Sequence, residues 1–281
     1  DGATLNLWDG GDPANFNDGK IAGGSGTWRA GGSTASWASV DGKLNAGWQQ
    51  DGVAIFSGTA GTVTVDNKSA GGPVRIGGAQ FAVDGYVVNG DPLTLRAGDA
   101  VVRVGDGTAA SAGMTATINA ALGGTGRLVK DDGGTLVLGA ANSYAGGTTV
   151  KGGVLQISTD SNLGAAGTEL ALDGGTLRIA AGSAPFFSAR SLSLGAGGGT
   201  IDLSNSLYGV GGPITGNGLL TVTGKGGTFG LVAANSYSGG TVLKDGASIT
   251  TTASGALGSG AVQQQGNGTL LSLLGSASAG S

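Results

Sequence analysis

Gly133-Gly134-Thr135-Leu136-Val137-Leu138-Gly139-Ala140-Ala141-Asn142-Ser143-Tyr144-Ala145-Gly146-Gly147-Thr148 returns, 93 residues later, as Gly226-Gly227-Thr228-Phe229-Gly230-Leu231-Val232-Ala233-Ala234-Asn235-Ser236-Tyr237-Ser238-Gly239-Gly240-Thr241. The same offset relates Gly175-Thr176-Leu177 to Gly268-Thr269-Leu270. Thr135-Leu136-Val137-Leu138 in the first copy and Thr228-Phe229-Gly230-Leu231 in the second set a large apolar residue at every other position, the period of a strand with one face buried. A run this short is not stable as an isolated sheet. It needs neighbours of the same kind stacked on it, and the repeat supplies them.

The rest of the chain has the same texture. Thr62-Val63-Thr64-Val65, Leu93-Thr94-Leu95, Val101-Val102-Arg103-Val104, Leu170-Ala171-Leu172, Leu192-Ser193-Leu194 and Leu220-Thr221-Val222 are all short alternating runs. Gly or Asp-Gly bounds most of them, from Asp1 and Asp9 to Asp173 and Asp245. Asp-Gly is turn chemistry: the carboxylate bonds nearby backbone and the glycine accepts positive φ. Most of the acidic residues are thereby read as turn formers. The motif Gly-Thr-apolar recurs at Gly134, Gly175, Gly199, Gly227 and Gly268, which implies coils of roughly 20–28 residues, a solenoid period. The expected fold is all-β, a right-handed single-stranded parallel β-helix. It is expected to run continuously over residues 1–281, with tryptophan-rich N-terminal coils over 1–100 and two ~93-residue copies of the repeat over 121–281. Inward ladders are expected from Leu136, Leu138, Leu177, Ile179, Ile201 and Leu203. Ala109 to Leu122 is read as extended, because Thr115, Thr117 and the following glycines oppose a helix.

Composition agrees and narrows the chemistry. There are 62 glycines among 281 residues, about three times the usual share of roughly 7%. Charged residues make up 11%, against a usual quarter or so, yet 39% are hydrophobic, so the chain is not of the disordered type. The net charge is −4 with no basic cluster, which argues against nucleic acid as a partner. No apolar stretch approaches the ~20 residues of a membrane span. Asp1-Gly2-Ala3 is not an apolar leader, so any secretory signal is expected to have been removed already.

Histidine and cysteine are absent, which removes Ser-His-Asp and Cys-His nucleophile systems, disulfides and cysteine-based metal sites. Glu169 is the one glutamate and sits in the alternating run Thr168-Glu169-Leu170, facing solvent. No catalytic, cofactor or metal residue is therefore assigned. The densest oxygen cluster, Asp9-Gly10-Gly11-Asp12 with Asn15, Asn17 and Asp18, reads either as a capped turn or as a single Ca²⁺ site. The binding candidates are two groups. Trp8, Trp28, Trp37 and Trp48 are all of the tryptophans and stand together near the start of the chain, either as a stacking surface for a ligand or as the plug of the first coils. Asn142 and Tyr144, repeated as Asn235 and Tyr237, read either as a repeated ligand contact or as a turn with a tyrosine at its corner.

A family resemblance adds to this. Gly124-Thr125-Gly126-Arg127-Leu128-Val129-Lys130, Gly134 to Leu138, Asn142 to Val150 and Gly153-Val154-Leu155 together resemble the passenger-associated transport repeat of bacterial autotransporters. A second copy runs from Gly216 to Ile249 and departs from the pattern at Phe229-Gly230, where leucine and an ordinary strand residue are usual. Leu7-Trp8-Asp9-Gly10-Gly11, Gly26-Thr27-Trp28 and Ala79 to Tyr86 also look like passenger sequence. The resemblance implies type V secretion and a place on the outer-membrane surface or outside the cell. It implies adhesion, self-association or display, with a host-cell or bacterial surface ligand, or a second copy, as partner. The family's C-terminal membrane barrel is expected outside this chain. Two other readings stay open: a carbohydrate-active β-helix enzyme of lyase or glycosidase type, and a passive scaffold for a domain elsewhere.

Overall fold

Short alternating runs separated by glycine corners can bury their apolar sides only by stacking, and that is the architecture of the computed structural model. It describes residues 4–31, 35–68 and 71–273. The turn at Asp1 lies outside them. Almost every strand is three or four residues long and pairs in parallel with the strand one coil away. The fold is all-β, a parallel β-solenoid, and the chain divides into two compact units, Asp1–Gly147 and Thr148–Ser281.

In the first unit the coils stack their strands into three sheets, the third of them spanning fewer coils than the other two. The first sheet stacks Leu5–Trp8, Val53–Phe56, Gly78–Phe81, Asp99–Val104 and Arg127–Asp131. The second stacks Gly26–Trp28, Thr62–Val65, Val87–Gly90, Thr115–Ile118 and Thr135–Leu138. The third stacks Val74–Ile76, Leu93–Leu95 and Leu122–Gly124. Val53, Gly78, Val101 and Val129 occupy one register position, so the chain between successive members of that set is one coil, of the length the sequence motif implies. Two antiparallel strands, Trp37–Ala38 and Asn45–Ala46, add to the edge at Leu5–Trp8.

The second unit is more regular. Its first sheet holds Thr148–Val150, Leu170–Leu172, Leu192–Leu194 and Ile214–Gly216. Its second holds Val154–Ile157, Thr176–Ile179, Gly199–Asp202, Leu220–Thr223, Thr241–Lys244 and Val262–Gln265. Its third holds Phe186–Ser188, Leu207–Val210, Thr228–Leu231, Ser248–Thr251 and Leu270–Leu273. Leu155, Leu177, Ile201, Val222 and Leu243 stand in register at 0% exposure, a continuous aliphatic ladder. At about 25 cal/mol per Å2 of apolar surface, each such side chain contributes about 2 kcal/mol of burial. Leu136, Leu138, Ile179 and Leu203 are buried as the alternation requires.

The 93-residue repeat does not return to the same face. Thr148–Val150 lies in the first sheet of the second unit, and its counterpart 93 residues on, Thr241–Lys244, lies in the second. Val154–Ile157 lies in the second sheet, and its counterpart Ser248–Thr251 lies in the third. The repeat has therefore advanced four coils and one face. A strand-corner-strand motif fits any two consecutive faces, because each presents the same stacked backbone edge to the coil beside it.

Two local expectations change. Ala109–Gly113, read as extended, is a 3-10 helix; Thr115–Ile118 beyond it is a strand. The helix has no β-branched residue, and the Asp106 carboxylate accepts from the Thr108 N–H at 3.0 Å and the Ser111 hydroxyl at 3.0 Å, which holds the turn tight. At Asp51 and Asp132 the aspartate takes the positive φ, at 63° and 67°, in place of the glycine after it. Aspartate tolerates that region through local side-chain bonds.

Candidate functional site

The four tryptophans gather in one place, and it is interior. Trp8, Trp28, Trp37 and Trp48 are at most 4% exposed. Trp28, Trp37 and Trp48 lie with ring centres 4.8 to 5.0 Å apart, and Trp8 meets Trp37 at 5.1 Å, edge on. Phe56 packs beneath Trp8, Trp28 and Trp37, then stacks on Phe81 at 4.8 Å. The indole N–H of Trp8 donates to the Gly24 carbonyl at 2.8 Å, and that of Trp48 to the Arg75 carbonyl at 3.1 Å. Tyr86, on the same coils, donates to the Ser57 or Thr59 carbonyl at 2.8 Å while the Gly24 N–H donates to its oxygen. Burial pushes its phenol up to about 12.

The repeated Asn-Ser-Tyr is a backbone device. Asn142 Oδ1 accepts the Leu122 N–H at 2.7 Å, and Asn235 Oδ1 accepts the Ile214 N–H at 2.7 Å. In both copies the next residues continue the ladder, Ser143 and Ala145 onto Leu122–Gly124, and Ser236 and Ser238 onto Ile214–Gly216. The asparagine amide thus stands in for a main-chain acceptor where the chain enters the coil. Tyr144 and Tyr237 then turn inward at 0% exposure, and the Tyr237 hydroxyl shares a hydrogen bond with Thr241 Oγ1 at 2.6 Å.

The oxygen-rich start is spent on turns. Asp9, at 0% exposure, accepts from the Ala22 N–H at 2.7 Å and from Asn45 Nδ2 at 2.8 Å. Asp12 caps Ala14 N–H and Asp18 caps Lys20 N–H. Among the described residues no three carboxylates gather where one ion would sit.

Two buried cations went unread in the sequence. Arg190, 2% exposed, bonds Asp160 Oδ1 at 3.0 Å, the Gly164 and Ala165 carbonyls at 2.8 Å each, and Thr168 Oγ1 at 2.5 Å. It fastens the Asp160–Leu163 3-10 loop to the following coil. Lys130 is fully buried and donates to the carbonyls of Asp131 and Asp132 at 2.8 Å each. Desolvation pushes its ammonium down to about 8, against the opposing pull of Asp131 and Asp132. Neither has a signal in the sequence, since a lysine in a short strand, like Lys130, or an arginine at a corner, like Arg190, is ordinarily outward.

The outer faces carry the remaining chemistry. Cross-coil pairs join Arg75 to Asp51 with two bonds at 2.9 and 3.1 Å, and Arg178 to Asp202 at 2.8 Å. The Arg75 guanidinium holds the Asp51 carboxyl below the usual carboxylate range. A shallow groove of about 530 Å3 runs past this first pair, with Arg96, Thr94 and Thr125 on its walls. A smaller strip of about 250 Å3 on the third sheet of the second unit is lined by Phe187, Leu207, Thr228, Val232, Thr250 and Thr252.

Residues 128–157 match the family model described as passenger-associated-transport-repeat. Over 135 residues the chain is 43% identical to the adhesin BmaC autotransporter of Brucella suis biovar 1 (strain 1330), an alignment that covers 46% of this chain. The chain spans about 4% of the length of that curated relative. No solved structure matches it.

Proposed function

We propose that this autotransporter passenger segment works as an adhesive surface module, non-enzymatic, binding by many weak contacts along its outward faces. The observation that carries the reading is the 43% identity to an autotransporter protein named as an adhesin, over a stretch that takes in nearly half of the chain. The geometry supports it. The polar residues that the sequence singles out are engaged in turns and ladders, and the outward faces repeat from coil to coil. The partner is a host-cell or bacterial surface ligand, or a second copy of the chain, met at the outer-membrane surface or after release.

Weak contacts of this kind gain strength through repetition, because tethering raises the effective concentration of each copy. The test is display. Bacteria carrying the chain in many copies on their surface should adhere to coated or cellular surfaces, or clump, while the purified monomer binds little. With 11% charged residues, adhesion should change little from about 0.15 M salt upward, since screening acts on charges. Saturable polysaccharide turnover by the purified chain, abolished by changing one aspartate, would replace this reading with a β-helix enzyme.

A further inference from the structure

The departure of the second repeat copy at Phe229-Gly230 has a three-dimensional reason. Phe229 points inward and completes an aromatic column with Tyr208, ring centres 5.8 Å apart, which Phe186 extends at 5.1 Å. Gly230 faces outward, and so does Gly209 on the strand beside it. Both stand in register with Phe187, in the order Phe187, Gly209, Gly230, Thr250. The Phe187 ring lies over these two glycines. A Cβ at Gly209 would overlap its Cδ1 and Cε1, and a Cβ at Gly230 would sit 3.1 Å from Cε1 and 3.4 Å from Cζ. Two strand positions have thus given up their side chains beneath one ring, and glycine is among the poorest strand residues. The ring remains 57% exposed.

Aromatic cover of strand glycines recovers some stability. Stability alone would be served as well by burying the ring, or by ordinary threonines at the two glycine positions. What the arrangement adds is a fixed aromatic surface open to solvent. Around it stand three hydroxyls, Thr228, Thr250 and Thr252, none with a side-chain hydrogen bond among the described residues, and Val232 at 49% exposure. No charged group lines the strip.

We propose that this strip binds the apolar face of a neutral pyranose sugar, stacked on Phe187 and hydrogen-bonded at its rim by Thr228, Thr250 and Thr252. The chemistry of the lining selects the occupant. An anionic glycan would require a cation, and none is present. A protein partner would require a far wider face, about 800 Å2 of surface per side, whereas Phe187 and Val232 are the only exposed apolar side chains among the lining residues. A sugar ring offers one apolar face edged with hydroxyls, and the strip of about 250 Å3 has room for one or two such units. A ring already held in place loses little freedom on binding. The proposal rests on the adhesive reading and supplies its ligand class.

The test uses the full chain coupled in many copies to fluorescent beads, which supplies the repetition a single copy lacks, on an array of neutral and sialylated oligosaccharides, with the same variants displayed on bacteria. Neutral glycans should be retained by the wild type. Phe187→Ala should lower that signal at least tenfold. Gly209→Thr should displace the ring and lower it similarly, with thermal stability kept or raised, which separates loss of the platform from loss of the fold. Absence of neutral-glycan binding by the wild type, binding only to sialylated glycans or apolar peptides, or a Gly209→Thr signal equal to wild type would each overturn the proposal. If displayed cells adhere equally well with and without Phe187, the sugar site fails and the adhesive reading stands. If the array signal depends on Phe187 but displayed cells never adhere, the site stands and the adhesive reading fails.

Discussion

The first coils of the first unit and the middle coils of the second solve one packing problem with different materials. Around Leu5–Trp8 the interior is filled by Trp8, Trp28, Trp37, Trp48 and Phe56, with ring planes inclined at 48° to 72°. The second sheet of the second unit is filled by Leu155, Leu177, Ile201, Val222 and Leu243, one above another. Where every coil has a like coil on each side, one aliphatic side chain per position fills the space. Where antiparallel Trp37–Ala38 and Asn45–Ala46 close the edge, the space is irregular, and large flat rings fill it at varied angles. A solenoid core is thus uniform only where its neighbours are.

The most damaging way to break the contrast is a charge in the regular ladder. Leu177→Asp buries an unpaired carboxylate between Leu155 and Ile201, and should cost about 4 kcal/mol or more, read as a large fall in melting temperature. An unchanged melting point would show that the ladder does not hold this side chain inside. Trp37→Ala should come next, at about 3 kcal/mol, because three indoles and Phe56 lose their common neighbour. Amide exchange should accelerate around residues 5–60 and leave the rates of 154–244 in place. If exchange rises equally everywhere, the aromatic cluster is no local feature.

Asn235→Ala should cost about 1–2 kcal/mol, since the Ile214 N–H and the Ala256 carbonyl both lose a partner. Urea denaturation of this variant against Ser236→Ala, an exposed neighbour, isolates the amide's contribution. Lys130 sharpens the comparison through pH. Its folded value, about 8, lies below the ordinary 10.5, so between the two the unfolded chain holds the extra proton and stability rises with pH. Lys130→Met should remove that rise between about pH 8 and 10.5, measured as the difference in melting temperature from wild type. A parallel profile would mean that Lys130 keeps its ordinary titration. The smallest effect is expected at the surface: Arg75→Ala should shift the melting temperature only slightly, and less still at high salt, because the Arg75–Asp51 pair is solvated.

Much of the interior was legible in advance, for a local reason. Period-two alternation assigns Leu136, Leu138, Leu177, Ile179, Ile201 and Leu203 to one side of the chain without knowledge of what lies opposite. The two groups of candidate site residues were legible as clusters, and their setting was not. Four tryptophans bunched from Trp8 to Trp48 look alike in sequence whether they plug a coil or face a ligand, and Asn-Ser-Tyr reads equally as a contact or a corner. Lys130 and Arg190 gave no sign, because what buries them is supplied by chain looping back around them: two carbonyls for one, the Asp160–Leu163 loop for the other.

By itself, then, the sequence determined the strand period, the coil length and the inward set of aliphatic residues, since all three are encoded within one coil. Tertiary structure decided which residues become neighbours across coils. Phe187, Gly209 and Gly230 are separated by a full coil at each step along the chain and are adjacent in the sheet. Thr148 and Thr241 match in sequence and stand on different faces. Stacking fixes both, because residues at coil spacing come together about 4.8 Å apart, and the corner lengths between strands set which ones meet.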